Sequence, residues 1–375
     1  MKLRLATYNC NNLFRRAAAL QLEGFSPQAK AVLQEVAALS ELLARDSYAG
    51  PVGGRILKLL VKYDQHLAKR TKHNRWFSIN MVKGKLFKVP KGGQLPVLAA
   101  AGRGDWLGWV ELTRETVDET STQNTARVIQ SLDADVLCVV EVEDRLTLER
   151  FSAELLKPLA PAAAYAHAML IDGNDPRGID VGVLSRFPVA SVRPHVDDTF
   201  TGQDQKPYRV FSRDCPEYEV TLPEGRTLWL LANHFKSQGY GSQASNDAKR
   251  QRQAERVREI LRRFDLKRDL VAVAGDLNGT PDSAPLQPLL RTPGLNDVLK
   301  SPIFNGPVWT HGGRQQLDYL LVSTPLFKRL KSVGIERRGI FQKPPAGQPP
   351  AHLPTVTNGT TQASDHAAVW AEFAL

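Results

Sequence analysis

An apolar run at residues 270–274 passes directly into the sequence Gly275-Asp276-Leu277-Asn278. A continuous apolar run of this length, ending at a glycine, is typical of a strand that is buried on both faces. Such a strand places an acid and an amide at the edge of a buried sheet. A hard divalent cation and a phosphate ester both need oxygen-rich groups of this kind. Because the same four residues also form a good turn, their meaning depends on the other strand ends.

Several other predicted strands carry polar side chains at their ends in the same way. These are Asn9 and Asn11 after residues 3–8, Glu141 at the end of residues 135–141, His234 after residues 228–232, Asp318 within residues 316–322, and Asp365 with His366 before residues 367–373. Each residue alone also fits a turn, a helix cap or a structural ion pair. Their joint occurrence favours one common site.

Helical spacing alternates with these strands. Apolar residues three and four apart predict helices over residues 27–43, 55–68, 122–132, 146–156 and 246–264. The glycines and the proline at residues 50–54 are expected to break the chain between the first two helices. Strands that are apolar throughout need cover on both faces, so the pattern predicts packed sheets with helices on their outer faces.

The net charge of +10 lies in one segment of the 375 residues. Residues 55–91 hold eleven Lys and Arg side chains and one acid, so the rest of the chain is balanced. Such a segment favours a polyanionic partner, although a solvated surface is the usual alternative. Trp76, Phe77 and Phe87 lie among the cations, either to stack on bases or to pack internally, and we favour nucleic-acid contact. The residues proposed for this contact are Lys69, Arg70, Lys72 and Arg75.

The three cysteines, Cys10, Cys138 and Cys215, lack the number and spacing of a disulfide framework or a zinc site. The N-terminus lacks the apolar core and cleavage site of a signal peptide. No run approaches the roughly 18 apolar residues that a membrane helix requires. We therefore expect a cytoplasmic protein that does not bind membranes. The sequence indicates no protein partner, and we expect a monomer.

The ordered set of motifs resembles the endonuclease/exonuclease/phosphatase superfamily, which has the DNase-I-like fold, and is most similar to its bacterial nuclease-type members. The motifs that carry the resemblance are Thr7-Tyr8-Asn9-Cys10-Asn11, residues 135–141, Asn233-His234, Gly275-Asp276-Leu277-Asn278, Leu317-Asp318-Tyr319 and Ser364-Asp365-His366. The resemblance implies an α/β (α+β) fold, a four-layer sandwich in which two packed, mostly antiparallel β-sheets are flanked by helices. We expect one such domain over residues 1–375, with a large basic insertion at about 15–118 after the first strand.

The resemblance also implies a metal site and a site for the attacking water. Glu141, Asp365 and the amide of Asn11 would hold a catalytic Mg²⁺ (or Mn²⁺), an ion that takes carboxylates together with waters and substrate oxygens. Asp276 would position or deprotonate the water. Whether one or two ions bind is left open by the sequence.

The remaining members of the set would act on the phosphate. His366, oriented by Asp318, would contact the phosphoryl oxygen. His234 would act on the phosphate or serve as a general acid. Asn278 would hold the phosphate or a second ion, and Asn9 would support the phosphate-binding geometry.

Two further cations, Arg177 and Lys236, are candidates for substrate binding. Arg177 fits either a phosphate contact or an internal ion pair, and Lys236 fits either substrate phosphate or solvent. Together the motifs predict a metal-dependent phosphodiesterase, and we favour a nuclease that hydrolyses DNA. The alternatives are a phosphatase or phosphodiesterase acting on inositol phosphates or phospholipid head groups, and a non-catalytic nucleic-acid-binding protein on the same scaffold.

Overall fold

The computed structural model describes residues 1–13, 27–69, 71, 73–74, 76–90, 95–112, 119–239, 242–342 and 351–375. The chain divides into two compact units. The larger unit comprises Met1–Phe14 and Val117–Leu375, and the smaller unit comprises Arg15–Thr116. Within the described ranges, no helix is long and apolar enough to cross a membrane.

The strands and helices are numbered in chain order. The strands are β1 (Lys2–Leu13), β2 (Phe77–Lys83), β3 (Phe87–Lys88), β4 (Val97–Leu98), β5 (Leu107–Leu112), β6 (Val136–Val142), β7 (His167–Leu170), β8 (Asp180–Ser185), β9 (Val189–Arg193), β10 (Thr199–Thr201), β11 (Pro207–Arg209), β12 (Glu217–Thr221), β13 (Thr227–His234), β14 (Leu270–Asp276), β15 (Leu295–Asp297), β16 (Asp318–Ser323), β17 (Leu330–Glu336) and β18 (Ala368–Ala374). The helices are α1 (Pro27–Leu43), α2 (Pro51–Lys62), α3 (Glu119–Leu132), α4 (Arg145–Phe151), α5 (Lys157–Leu159), α6 (Gln243–Leu261), α7 (Gln287–Leu290) and α8 (Thr324–Phe327).

Two six-stranded sheets form the body of the larger unit. Their strand orders are β17-β18-β1-β6-β8-β7 and β15-β16-β14-β13-β12-β9. Each sheet is mostly antiparallel and contains one parallel pair, β1 with β6 in the first and β13 with β14 in the second. The predicted class of fold, two large sheets flanked by helices, is therefore confirmed.

Alternation along the strands produces the layers of the sandwich. Leu5 and Ala272 belong to the apolar core between the two sheets. The next residue on the first strand, Ala6, faces the opposite way and packs with residues of α3. The next residue on β14, Val273, packs with residues of α6. Because successive side chains of a strand point to opposite faces, each sheet buries one face on the other sheet and one on helices.

The smaller unit has a core of its own. Helices α1 and α2 and the strand pairs β2–β5 and β3–β4 bury aromatic side chains, including Trp76, Phe77 and Trp106. The indole Nε1 of Trp106 donates a hydrogen bond of 2.9 Å to the hydroxyl of Tyr48. Of the two uses considered for Trp76 and Phe77, the structure therefore shows internal packing.

Helix α2 begins earlier than the sequence pattern suggested. It runs over Pro51–Lys62, so the predicted bounds of 55–68 were wrong, and residues 51–54 belong to the helix instead of the break that separates it from α1. A proline in the first helical turn lacks only an N–H that has no intrahelical partner there, and its fixed φ suits the helix. The glycine at position 53 permits close packing, because an added Cβ would lie 2.5 Å from the carbonyl oxygen of Tyr48.

Candidate active site

The strand ends that carry the predicted site residues meet at one edge of the larger unit. In the second sheet, His234 on β13 lies opposite Asp276 on β14, and Asp276 lies opposite Asp318 on β16. Because β13 and β14 are parallel and β16 is antiparallel to β14, two strand ends and one strand start coincide. The register alone therefore places an imidazole and two carboxylates side by side.

A buried cluster surrounds the carboxylate of Asp276. Its Oδ1 accepts a hydrogen bond of 2.8 Å from the backbone N–H of Asn278, and its Oδ2 accepts bonds of 3.1 Å from the side-chain amides of Asn9 and Asn278. The Asn9 amide also lies 3.4 Å from Glu141 Oε1. Nε2 of His234 lies 3.7 Å from Asp276 Oδ2 and 3.8 Å from Glu141 Oε1. The structure thus brings five predicted site residues together.

The backbone is left-handed at three residues of this edge. Asn11, Glu141 and Asn278 have positive φ angles of 45°, 64° and 51°. The pairing of β6 with β8 shifts register between Val140 and Val142, which leaves Glu141 in a bulge. A left-handed backbone at a residue other than glycine costs on the order of 1–3 kcal/mol. Three such residues at one sheet edge mark a site that the surrounding packing enforces.

His366 and Asp318 form a carboxylate–imidazole pair beside this cluster. Nδ1 of His366 lies 2.8 Å from Asp318 Oδ2, and its Nε2 lies 3.9 Å from Asp276 Oδ2. Burial lowers the pKa of His366, but the carboxylates of Asp318, Asp276 and Asp365 outweigh it and hold that pKa well above its usual range. His366 is therefore an imidazolium near neutral pH, in contact with acids on two sides.

Side-chain hydroxyls fix the segments that carry this pair. The hydroxyl of Thr310 accepts hydrogen bonds from the backbone N–H groups of Leu317 and Asp318, at 3.0 and 3.1 Å. The hydroxyl of Ser364 donates to the carbonyl of Asn9 at 2.7 Å and accepts from the backbone N–H of His366 at 2.9 Å. These bonds connect the start of β16 and the approach to β18 with the end of β1.

Burial shifts the pKa values of the cluster in opposite directions for acids and for imidazole. It raises the pKa of Asp276 to about 7, with the Asp318 carboxylate adding to the effect and the His366 charge opposing it. It also raises the pKa of Glu141. Burial, followed by the positive charge of Arg213, holds the pKa of His234 well below its usual value, so His234 is neutral at pH 7. The site thus contains more carboxylates than the single imidazolium of His366 can neutralise.

Asp365 lies at the open side of the site next to a histidine that sequence reasoning missed. The side chains of Asp365 and His311 are 47% and 34% exposed, and His311 Nε2 lies 3.6 Å from Asp365 Oδ2. The rings of His311 and His366 are tilted against each other with centroids 4.6 Å apart. A lone histidine in the turn Thr310-His311-Gly312 carries no local signal, because only tertiary pairing brings it here.

The donor groups at this edge fit a divalent cation. Two groups of three residues each offer three ligand atoms that lie within 4.8 Å of one another. One group is Asp276, Asp318 and His366, and the other is His311, Asp365 and His366. In the part of the chain that the structure describes, the buried Oδ1 of Asp318 has no hydrogen-bond donor. Carboxylate oxygen and imidazole nitrogen are common ligands of divalent cations in catalytic sites. Asp365 lies close enough to the predicted ligand Glu141 for the Asp365 charge to raise the pKa of Glu141, in addition to the effect of burial.

The predicted substrate-binding cations of the larger unit lie among other charges. Arg177 forms a bidentate ion pair with Asp175, in which Nε donates to Oδ1 at 2.9 Å and Nη2 donates to Oδ2 at 2.7 Å. Lys236 Nζ donates to the carbonyl of Gly239 at 2.8 Å. Arg213, which the sequence pattern did not single out, is buried, with Nε 3.1 Å from Asp175 Oδ2. Its positive charge and that of Arg177 both act on His234.

The predicted cations of the basic segment belong to the smaller unit. Lys69 is exposed there. The other three, Arg70, Lys72 and Arg75, lie outside the described residues. Their proposed contact with nucleic acid stays a prediction.

Comparison with known proteins identifies the family of the chain. Residues 117–366 match the model of the Endonuclease/Exonuclease/phosphatase family, and the chain belongs to this family of phosphate-ester hydrolases. A search of curated proteins finds no match.

Several solved structures are similar in fold. One is a truncated TDP2 from Caenorhabditis elegans, at 20% identity over 68% of this chain and 90% of that chain, with a TM-score of 0.44. Another is a family protein from Bacteroides thetaiotaomicron, at 13% identity over 100% and 99% of the two chains, with a TM-score of 0.48. A third is beta toxin from Staphylococcus aureus, at 15% identity over 67% and 92%, with a TM-score of 0.44.

Asp180, which follows Arg177 closely in sequence, is an internal residue. It is buried on β8, and its Oδ1 accepts a hydrogen bond of 3.0 Å from the backbone N–H of Gly173. Burial raises its pKa to about 7, and the carboxylates of Asp172 and Asp175 add to the effect.

This shift predicts how stability depends on pH. The folded pKa lies above the unfolded value of about 3.9, so the contribution of Asp180 is fully present below pH 4 and is lost as pH rises through 7. Asp180→Asn should therefore raise the free energy of unfolding at pH 8 by roughly 1–3 kcal/mol, and by less at pH 5. Urea unfolding at both pH values measures this. The exposed Asp282→Asn, which does not act on the pKa of Asp180, is the control, and an equal gain at both pH values for Asp180→Asn would contradict the assignment.

Proposed function

We propose that this protein is a divalent-metal-dependent nuclease that hydrolyses phosphodiester bonds of DNA by in-line attack of water. The observation that carries the proposal is the cluster around Asp276. It contains a fixed carboxylate, two further acids and two imidazoles of opposite protonation state at one edge of the sandwich. Phosphodiester hydrolysis requires a positioned water, positive charge near the phosphoryl oxygens and help for the leaving alkoxide.

Asp276 is suited to hold and activate the water. Three hydrogen bonds from Asn9 and Asn278 fix its carboxylate, so it has one orientation before substrate arrives. A general base works best with a pKa near the working pH, and burial raises the pKa of Asp276 to about 7.

The two asparagines act as positioning residues. The side-chain nitrogen of Asn278 donates both its hydrogens, to Asp276 Oδ2 and to the carbonyl of Phe235. Its amide oxygen then remains for a cation, which favours a role toward an ion over a role as phosphate donor. The Asn9 amide donates to Asp276 and Glu141, and its oxygen accepts from the backbone N–H of Asn11.

The two imidazoles serve the phosphate in different ways. His366, charged and held by Asp318, would stabilise negative charge on the phosphoryl oxygens. His234 is neutral and deeply buried, so it would donate one hydrogen bond to the phosphate or the leaving oxygen. This assignment favours the phosphate contact for His234 over general acid catalysis.

Glu141 and Asp365, with the Asn11 amide, would hold the metal, which we propose to be Mg²⁺ or Mn²⁺. A divalent ion, when bound, neutralises charge on the phosphate and assists the leaving oxygen. Its binding would also offset the mutual repulsion of the buried acids. Arg177, Arg213 and Lys236 would add positive charge along the substrate path.

The smaller unit supports nucleic acid as the substrate. Trp109, which is 52% exposed, and the exposed Leu107 lie on one face of β5. Leu107 pairs across the strands with the exposed Lys83 of β2. An exposed indole on a strand pair that also exposes a lysine is suited to stack on bases while the cation meets phosphate. Inositol phosphates are also polyanions, but they offer no base to stack. Phosphate-ester hydrolases of one fold act on many substrates, so an assay must separate these cases.

The first prediction of this proposal concerns the reaction itself. The purified protein should cleave plasmid, linear or single-stranded DNA with Mg²⁺ or Mn²⁺, and EDTA should abolish cleavage. Asp276→Asn should lower kcat by about 10²–10⁴-fold, the usual contribution of a general base. Asp282→Asn, an exposed acid six residues further along the chain, is the matched control and should cleave like the wild type. RNA and an inositol polyphosphate complete the substrate panel.

Two results would contradict this proposal. Phosphate release from the inositol compound without DNA cleavage would make the protein a phosphatase. DNA binding without cleavage under every metal condition would leave a non-catalytic binding protein.

The second prediction of this proposal concerns the smaller unit. Neutralising Lys69, Arg70, Lys72 and Arg75 together should weaken DNA binding and flatten its dependence on salt concentration, because fewer counterions are released. Trp109→Ala should instead weaken single-stranded DNA binding by about 1–3 kcal/mol without changing the salt slope. Fluorescence anisotropy titrations at several salt concentrations measure both effects.

Neutralising the exposed Lys328 and Lys331 of the larger unit is the control for charge. An unchanged slope in the fourfold variant would make the basic segment a solvated surface.

A further inference from the structure

His311 lies beside the proposed metal ligand Asp365, although no sequence motif includes it. It follows Thr310, pairs through the backbone with Gln315 and His366, and is followed by two glycines with φ of 58° and 69°. Positive φ is readily available only to glycine, so this turn is built to return the chain directly after the histidine. The turn fixes the imidazole against the His366 ring.

The distance between His311 and Asp365 is informative. Their Nε2 and Oδ2 atoms are 3.6 Å apart, whereas a charge-assisted hydrogen bond is about 2.7–2.9 Å long. Two atoms that bind one ion at about 2.0–2.2 Å each lie roughly 3–3.6 Å from one another. The observed separation therefore suits two ligands of one cation better than a direct hydrogen bond.

The two side chains also have the access that an ion requires. Both are partly exposed, at 34% and 47%, whereas His366 is nearly buried and its Nδ1 is engaged by Asp318. One ligand atom from each of His311, Asp365 and His366 lies within 4.8 Å of the others. An ion that enters from solvent would meet Asp365 and His311 first.

We propose that His311 is a ligand of the divalent cation together with Asp365, and that the site consequently binds a transition metal such as Mn²⁺ or Co²⁺ in preference to Mg²⁺. Mg²⁺ binds oxygen ligands almost exclusively, whereas imidazole nitrogen suits first-row transition metals. A site with Glu141 and Asp365 alone would accept either class of ion. The added imidazole changes the selectivity. This inference rests on the proposed metal-dependent function, because the same Asp365 takes part in both.

The alternative is that His311 only orients Asp365. In that case the imidazole never contacts the ion, and its loss would weaken every metal by the same factor. The two cases therefore differ in the ratio of affinities, not in activity.

The test uses the full chain stripped of metal and measures binding of Co²⁺, Mn²⁺ and Mg²⁺ by isothermal titration calorimetry without substrate. His311→Phe keeps a ring against His366 but removes the nitrogen, and His311→Ala serves as a second variant. Both should lose at least about tenfold in Co²⁺ affinity, while Mg²⁺ affinity changes little. His73→Ala, in the smaller unit, is the control and should match the wild type.

A spectroscopic measurement gives an independent readout. Pulsed EPR of bound Mn²⁺ should show coupling to an imidazole nitrogen that weakens in His311→Phe. Equal losses for Co²⁺ and Mg²⁺, or unchanged affinities and unchanged nitrogen coupling, would overturn the inference. DNA cleavage measured on the same samples keeps the two proposals distinct. His311→Phe could show the predicted affinity ratio while the wild-type protein cleaves no phosphodiester. That result would support His311 as a metal ligand and reject the proposed nuclease activity.

Discussion

The alignment of β13, β14 and β16 is the constraint on which the site depends. Parallel pairing of the first two and antiparallel pairing of the third put His234, Asp276 and Asp318 in one row. The first sheet then supplies Asn9 and Glu141 from a second parallel pair, and the packed sandwich brings the two edges together. A one-residue slip in this register would turn the side chains to the opposite face. The chemistry therefore depends on strand pairing as much as on residue identity.

Burial of so many acids at one edge has an electrostatic consequence. Glu141 and Asp276 have raised pKa values because they are buried and face other carboxylates. The imidazolium of His366 offsets only part of this charge. A divalent cation would stabilise the ionised forms that hydrolysis requires. The repulsion among these buried carboxylates would therefore favour binding of a divalent cation at this edge.

Much of the fold and most of the cluster could be predicted, because both follow from local patterns. Apolar runs ending in polar residues identified the strands and the side chains at their ends. Arg213 and His311 could not be found in this way, since each reaches the site from an irregular segment through tertiary contacts. Composition likewise could not separate the buried Trp76 from the exposed Trp109. The start of α2 was missed because the glycines and the proline at residues 50–54 were interpreted as a break between two helices.

The central claim is that Asp276 and its neighbours direct a water molecule in line onto a phosphodiester. The most direct test uses DNA with one phosphorothioate linkage of defined configuration, cleaved by the protein in water enriched in ¹⁸O. Direct attack of water predicts incorporation of one ¹⁸O into the thiophosphate product with inversion of configuration at phosphorus. Retention of configuration would indicate a covalent protein intermediate and would contradict the account.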